Sequence, residues 1–388
     1  QVQQSELYDT LVSLRRDLHQ HPELSWKENR TAERICRQLD RLGITYRKNV
    51  QGTGIIADLP GQSAGPCIAL RADMDALPVL EETGLPFASS TPGIMHACGH
   101  DGHTSMLLGA AELLAGTPTL PAPVRFIFQP AEETGEGAKA MIAAGALEDV
   151  AMIFGGHVDR HYPVGRIAVT EGAVNASSDK FSIRIMGRGG HAARPHETVD
   201  AVVVGSLMVI ALQTIVSREV NPAHPSVVTV GRFEAGTASN VIAGHAELHG
   251  SIRAQHEEVR MALHRAIERM ALSIGQLHGA KVEADIHRGT PAVINPAKET
   301  AMAREAAERA VGPGHVVRME IANMGGEDFS YYLDQCPGCY VRFGTAREGV
   351  EQHPAHSSRF DFDEEALAVG AAYYYQLALH AGNALHAS

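Results

Sequence analysis

Cysteine is scarce in this chain: five in 388 residues, at Cys36, Cys67, Cys98, Cys336 and Cys339. So sparse and odd a set excludes a disulfide framework and fits a reducing compartment. Cys336 and Cys339 form a lone CPGC with no second CxxC, and the segment reads as a turn entering a strand. Positive charge is short as well, with 33 Lys+Arg against 45 Asp+Glu and a net charge of −12. Nucleic acid and anionic membranes need clustered cations, so neither is expected as a partner, and small-molecule chemistry is. Long apolar runs are missing. The longest, AVVVGSLMVIALQTIV from Ala201 to Val216, is broken by Gly205, Ser206, Gln213 and Thr214. It is shorter than a membrane span requires and reads as a buried helix. The first residues, QVQQSELYDTLVSLRRDLHQ, lack the apolar centre of a signal peptide and read as an amphipathic helix, so a cytoplasmic location is expected.

What is there divides the chain. A length of 388 residues exceeds what one core usually organises, and two domains are expected. The first part alternates helical patterns (SELYDTLVSLRRDLHQ, NRTAERICRQLDRLG, HTSMLLGAAELLAG, GAKAMIAAGAL) with strands (TGIIADL, CIALRADM, VRFIFQ, AMIFGGH). Two of these strands, VRFIFQ and AMIFGG, are apolar without alternation, as in an α/β sheet covered on both faces. From about Ser178 the order becomes β-α-β-β-α-β, the split βαβ ferredoxin-like unit. The fold class is therefore α/β in two domains: a mixed-sheet α/β domain over residues 1–176 and 292–388, with an inserted α+β domain over residues 177–291.

The chemistry-bearing residues cluster after strands, where open α/β sheets bind ligands. In MHACGHDGH, Cys98 and His100 stand two apart in an extended loop, which points both side chains one way and lets them share a metal. His96 and His103 read as supporting, and Asp101 as orienting a ligand or capping the helix that begins near Gly102. In FIFQPAEETGEG, adjacent Glu132 and Glu133 follow a buried strand. Two ionised carboxylates there need a cation, or they are a solvated pair at a loop. Division of labour suits the first reading, one carboxylate ligating and the other carrying a proton. His157 ends an apolar strand behind two glycines that allow close backbone approach, and His353 and His356 precede the last helix. Together Cys98, His100, Glu133, His157 and His356 make a mixed S/N/O ligand set for zinc or manganese-like ions. Five ligands exceed one tetrahedral site, so two ions sharing a bridging water, with Glu132 as general base and acid, are expected. Asp73 and Asp75, also after a strand, are orienters of metal-binding histidines or helix caps.

Taken together, RRDLHQHPELSWKE, LRADMDALP, MHACGHDGHTSMLLGAAELL, FIFQPAEETGEGAKAMI, GRGGHAARPHETVDAV, GTASNVIAGHAELHGSIR, MGGEDFSYYL and HSSRFDFDEEAL resemble one family end to end. It is the co-catalytic metallopeptidases of the aminoacylase and carboxypeptidase type, specifically the amidohydrolase branch with hippurate hydrolase and the plant indole-acetyl-amino-acid hydrolases. The resemblance implies a metallopeptidase-type catalytic domain, two divalent ions on Cys98, His100, Glu133, His157 and His356, and Glu132 as catalytic acid/base. Asp73 would support the site. It also implies that the inserted domain is a lid that makes a homodimer or higher homo-oligomer. There His191 would polarise the scissile carbonyl in the partner's site, and Asn240 and Arg253 would hold substrate oxygens. Wider family members carry His-x-Asp after the second core strand and a bridging Asp, whereas this chain has Arg71-Ala-Asp73 and Cys98. The ions would be Zn, Mn, Co or Ni. The implied activity is metal-dependent hydrolysis of the amide bond of N-acyl amino acids to a carboxylic acid and a free amino acid. The alternative is a dipeptidase or carboxypeptidase using the same machinery. A binding protein on a retired hydrolase fold would have lost its general base, and Glu132 and Glu133 are both present.

Overall fold

A computed structural model describes residues 6–62 and 65–386. It falls into two compact units. The first holds the described residues up to Val174, together with Ile294–Glu320 and the chain from Asp328 onward. Its centre is an eight-stranded mixed sheet in the order Thr45–Val50, Gly54–Leu59, Val124–Gln129, Cys67–Asp73, Val150–Pro163, Gly338–Ala346, Ile167–Ala168, Val316–Val317. The strand Cys67–Asp73 is buried at all seven positions and pairs in parallel with both neighbours. A strand so placed has no polar face, which is why CIALRAD shows no alternation.

Helices Glu6–Gln20, His100–Ala115 and Glu365–His386 meet on this sheet at small residues. A methyl at Gly109 would stand 2.8 Å from Ala371 Cβ and 2.9 Å from Leu11 Cδ1, so the three helices approach closely there. The first strand, Thr45–Val50, was not expected; TYRKNV is mostly exposed and lacks apolar signal, and its pairing to Gly54–Leu59 makes it a strand. The CPGC segment turns into the strand Gly338–Ala346, with Cys339 fully buried.

Helix Glu6–Gln20 turns two cations inward. Arg15 Nε donates to Asp101 Oδ2 at 3.0 Å, and its other nitrogens reach Asp361 at 2.7 Å and Glu364 at 3.1 Å. His19 lies 2.9 Å from Asp101 and 3.3 Å from Glu81. Burial opposes a charge on His19, but the hydrogen bonds to Asp101 and Glu81 outweigh it and raise its pKa from 6.5 to about 9. A raised folded-state pKa stabilises below the unfolded value and loses that contribution as pH climbs through the folded one. Unfolding free energy should therefore fall by about 3 kcal/mol between roughly pH 6.5 and 9. Denaturant titrations of the wild type and of His19→Gln across that window check this; equal slopes for the two proteins would refute it.

The second unit comprises Asn175–Val293 and Ile321–Glu327. Its four-stranded antiparallel sheet runs Ser226–Ala235, His245–Ala254, Ser177–Met186, Lys281–Thr290, and helices Ala201–Thr214 and Glu257–His278 pack on it. Phe181, Ile183, Ile185, Leu248 and Ile252 from the sheet meet Val204, Met208, Leu212, Leu263 and Ile267 from the helices. The return segment Ile321–Glu327 was not part of the expected insert; it joins because Ala176 N donates to Asn323 O at 2.9 Å and Asn175 Nδ2 to Gly325 O at 3.1 Å.

The helix expected to be buried over Ala201–Val216 is not. It continues through a wider turn to Glu219, giving 19 residues that by length and composition could cross a membrane, and 33% of its most apolar stretch is buried. Ala201, Val204, Met208, Leu212 and Ile215 face the sheet. Val203, Leu207 and Ile210 are 48%, 40% and 66% exposed. The sequence is apolar all round, so periodicity could not reveal which side packs.

Candidate metal centre and active site

The candidate metal ligands and Glu132 all lie in the first unit, and three sheet strands contribute to the cluster; His157 stands mid-strand rather than at a strand end. Strand Cys67–Asp73 leads to Asp75, strand Val124–Gln129 to Glu132 and Glu133, and strand Val150–Pro163 carries His157. Cys98 and His100 do not sit in an extended loop. Gly99 takes a left-handed φ of 90° and His100 opens the helix His100–Ala115. A side chain at Gly99 would also strike Val158, its Cβ lying 2.5 Å from Val158 Cγ2. The turn at Gly99, rather than strand-like alternation, brings Cys98 and His100 together.

Ligand-type clusters result in which the donor atoms all lie within 4.8 Å of one another, and three of them are built wholly from the expected ligands and Glu132. One is Cys98, His100 and His157; another is Cys98, Glu133 and His356; the third is His100, Glu132 and Glu133. Cys98 thus joins two triads. Its Sγ stands 3.3 Å from His157 Nε2, and His356 Nε2 lies 3.5 Å from Glu133 Oε2. His356 itself has a φ of 67° with its N–H donating to Ala97 O at 2.7 Å, a sharp turn that returns this distant segment to the MHACGHDGH loop.

The buried atoms His100 Nε2 and Glu133 Oε1 have no hydrogen-bond partner among the described residues, and they face each other 3.8 Å apart. Orphaned polar atoms in a dry interior are costly. Divalent cations held by these residues would satisfy both atoms, and one soft sulfur, imidazole nitrogens and carboxylate oxygens form a donor set that suits such ions. Burial pushes the Cys98 thiol up. Hydrogen bonds to Cys98 and then Glu133 raise His356 to about 10. Burial, then His103, holds His157 below its ordinary value.

Around these groups runs a supporting shell. His100 Nδ1 is held by Asp75, at 2.9 Å from its carbonyl oxygen and 3.2 Å from Oδ1. Asp75 Oδ2 also accepts from Glu133 N at 3.1 Å and Ser25 Oγ at 2.7 Å. Asp73 orients a different imidazole: its Oδ1 is 2.6 Å from His103 Nδ1, while His103 Nε2 accepts the Val158 N–H at 3.0 Å. With both nitrogens committed, His103 has no lone pair left for a cation. His96 is buried, has no hydrogen-bond partner among the described residues, and is held by burial at a pKa of about 4. Asp101 neither orients a ligand nor caps the helix; it pairs with Arg15 and His19. The two glycines before His157 make room for aromatic rings rather than backbone, a Cβ at Gly155 lying 2.9 Å from Phe329 and one at Gly156 2.6 Å from Phe343. His353 joins none of the clusters.

Sequence reading missed a buried network behind the site. Arg71 donates to Asp73 Oδ2 at 2.7 Å, to Asp328 Oδ1 at 2.8 Å and to Gln129 Oε1 at 2.8 Å. The one available signal was an arginine and a glutamine inside otherwise apolar strands.

His191, Asn240 and Arg253 belong to the second unit. Strand Gly190–His191 pairs with Val241–Ile242, and Ala192 N donates to Asn240 O at 3.1 Å, so His191 and Asn240 are neighbours on an exposed surface. His191 Nδ1 accepts from Ala193 N at 3.0 Å, which places the ring proton on Nε2. Arg253 is half-buried, and burial lowers its pKa with only a partial offset from Asp179.

Comparison with known proteins places this geometry. The chain is 42% identical over 371 residues to N-acetylcysteine deacetylase of Bacillus subtilis, covering 95% of this chain and 96% of the relative. It is 42% identical over 292 residues to N-acyl-L-amino acid amidohydrolase of Geobacillus stearothermophilus, covering 75% and 79%. The structure superposes with a TM-score of 0.85 and 40% identity on a dinuclear metal binding peptidase of Bacillus subtilis, covering 96% of this chain and 98% of that one. Residues 69–380 match Peptidase family M20/M25/M40, and the chain belongs to that family.

Proposed function

We propose that this protein is a metal-dependent amidohydrolase that cleaves the linear amide of N-acyl amino acids into a carboxylic acid and a free amino acid. The observation that carries the reading is the sharing of Cys98 by two ligand triads, with Glu132 beside them: Glu132 Oε2 is 4.0 Å from His100 Nε2. In this reading Cys98, His100, Glu133, His157 and His356 hold two divalent ions, of zinc, manganese, cobalt or nickel. When bound, the ions supply Lewis acidity that polarises the amide carbonyl and acidifies water. Glu132, 11% exposed, takes the proton of the attacking water and returns it to the departing amine nitrogen. Asp75 fixes the tautomer and direction of His100 by holding its Nδ1 proton.

Substrate contacts are assigned to the second unit on the chemistry of its side chains. His191 presents an Nε2–H suited to a developing oxyanion, and Asn240 lies next to it. Arg253, a partly desolvated cation, suits the free carboxylate of an amino acid. A homodimer through this unit is supported by the apolar strip Val203, Leu207 and Ile210 and by Val227 and Phe233 on the adjacent edge strand Ser226–Ala235. Sedimentation should show a two-chain mass that Ile210→Glu converts to one chain; a monomeric wild type would exclude the interface.

The function is tested by amine release from N-acetyl, N-benzoyl and longer N-acyl amino acids, beside plain dipeptides, using metal-reconstituted protein. Turnover of N-acyl substrates is expected. Turnover of dipeptides alone would replace this reading with that of a dipeptidase.

A further inference from the structure

We propose that Glu28, the last residue of the HPELSWKE segment, is a positioning residue that sets the catalytic carboxylate of Glu132 by clamping the backbone immediately before it. The inference rests on the hydrolase reading above. Glu28 is completely buried, far from any ligand atom in sequence, and its two oxygens are both engaged. Oε1 accepts the Ala131 N–H at 3.0 Å, and Oε2 accepts Thr53 Oγ1–H at 2.6 Å.

Ala131 is the reason a clamp is needed. Its φ is 55°, in the left-handed region that a residue with a Cβ adopts only when its surroundings impose it. Relaxation of that one dihedral would swing Glu132, the next residue. On the other side of Glu132, the N–H of Glu133 is tied to Asp75 Oδ2 at 3.1 Å. The turn between closes on itself: Gly135 N donates to Glu132 O at 2.7 Å, and Thr134 Oγ1 and Gly137 N both donate to Ala131 O at 3.1 Å. Glu132 is thus held from two sides by two buried carboxylates, and the Glu28 side is the one that bears the unfavourable dihedral. Because Asp75 secures Glu133 independently, loosening the Glu28 side disturbs the proton carrier while leaving the ligand in place.

The clamp is geometric and not a matter of charge, which separates two conservative variants. Glu28→Gln keeps length and an oxygen for Ala131 N–H, and its amide can still donate to Thr53. Glu28→Asp keeps the charge but is one methylene too short to span both partners. We would measure kcat and KM on the best N-acyl substrate, metal content, and hydrogen–deuterium exchange of peptides covering residues 130–135. Glu28→Gln should stay within about threefold of wild type. Glu28→Asp should lose kcat by roughly 10–100-fold, the scale of a small misplacement of a reacting group. Its KM should stay within about threefold, metal content should be unchanged, and exchange in the 130–135 segment should be faster. Thr53→Val, which removes only the second tether, should shift the same readouts in the same direction by about three- to tenfold, and it decides the matter if Glu28→Asp does not fold. Wild-type kcat and exchange in the shortened or untethered variant would overturn the proposal, as would equal damage from Glu28→Gln, or a loss explained by missing metal. A wild-type enzyme inactive on every N-acyl substrate would defeat the hydrolase reading instead, and the exchange experiment would still judge the clamp.

Discussion

Replacing Glu132 by Gln should lower kcat by about 10²–10⁴-fold while leaving the bound metal and the fold intact. Glutamine has the shape of glutamate but cannot accept the proton of the attacking water or hand it to the amine. The two triads that share Cys98 do not include Glu132; they are built from Cys98, His100, Glu133, His157 and His356. The change also leaves the buried partners Asp75 and Glu133 untouched, so the loss should appear in kcat with little change in KM. Kinetics on the most active N-acyl substrate, beside metal analysis of the same preparation, check this. Activity within tenfold of wild type at full metal content would show that Glu132 is not the proton carrier, and the role would have to move to another group.

The second large effect is expected at Cys98. Alanine there removes a donor from both triads at once, whereas loss of His157 or His356 removes one from a single triad. Metal content should fall below two ions per chain, and turnover should drop by on the order of 10³-fold, the equivalent of several kcal/mol of lost transition-state stabilisation. The fold should survive, because a buried sulfur exchanged for hydrogen leaves only a small gap. Cys339→Ala is the matching control: Cys339 is also buried, its Sγ is 3.9 Å from Thr300 Oγ1, and it belongs to no ligand cluster. Undiminished metal and rate in Cys98→Ala, or an equal loss in the control, would remove Cys98 from the centre of the site.

These expectations show which properties are local. The residues of the site were legible because their chemistry is unusual where it stands. Two adjacent glutamates past VRFIFQ, a histidine ending AMIFGGH and a thiol two residues from a histidine are each poor choices for a strand end or a buried loop unless they bind something. The inserted unit was legible because alternation in KFSIRIMG and the order of elements around it obey short-range rules of strand and helix packing. A strand such as TYRKNV was invisible, since its only reason to be a strand is the neighbour it pairs with. The outer face of helix Ala201–Thr214 was invisible too, because an apolar residue is compatible with either a core or an interface.

What the sequence by itself determined was the inventory: the donor types, their placement beside strands, the two-unit plan and the family likeness. Tertiary structure alone decided the pairings. Asp75 rather than Asp73 holds His100, His103 is spent on Asp73 and Val158, Asp101 serves Arg15 and His19, and Glu28 reaches Ala131 across 103 positions of chain. The physical reason is reach. Spacing along the chain governs which side chains share a face within one helix or strand. Hydrogen bonds and ion pairs extend only a few ångströms in space, so partners from separate segments are settled only when the sheet and its helices have packed.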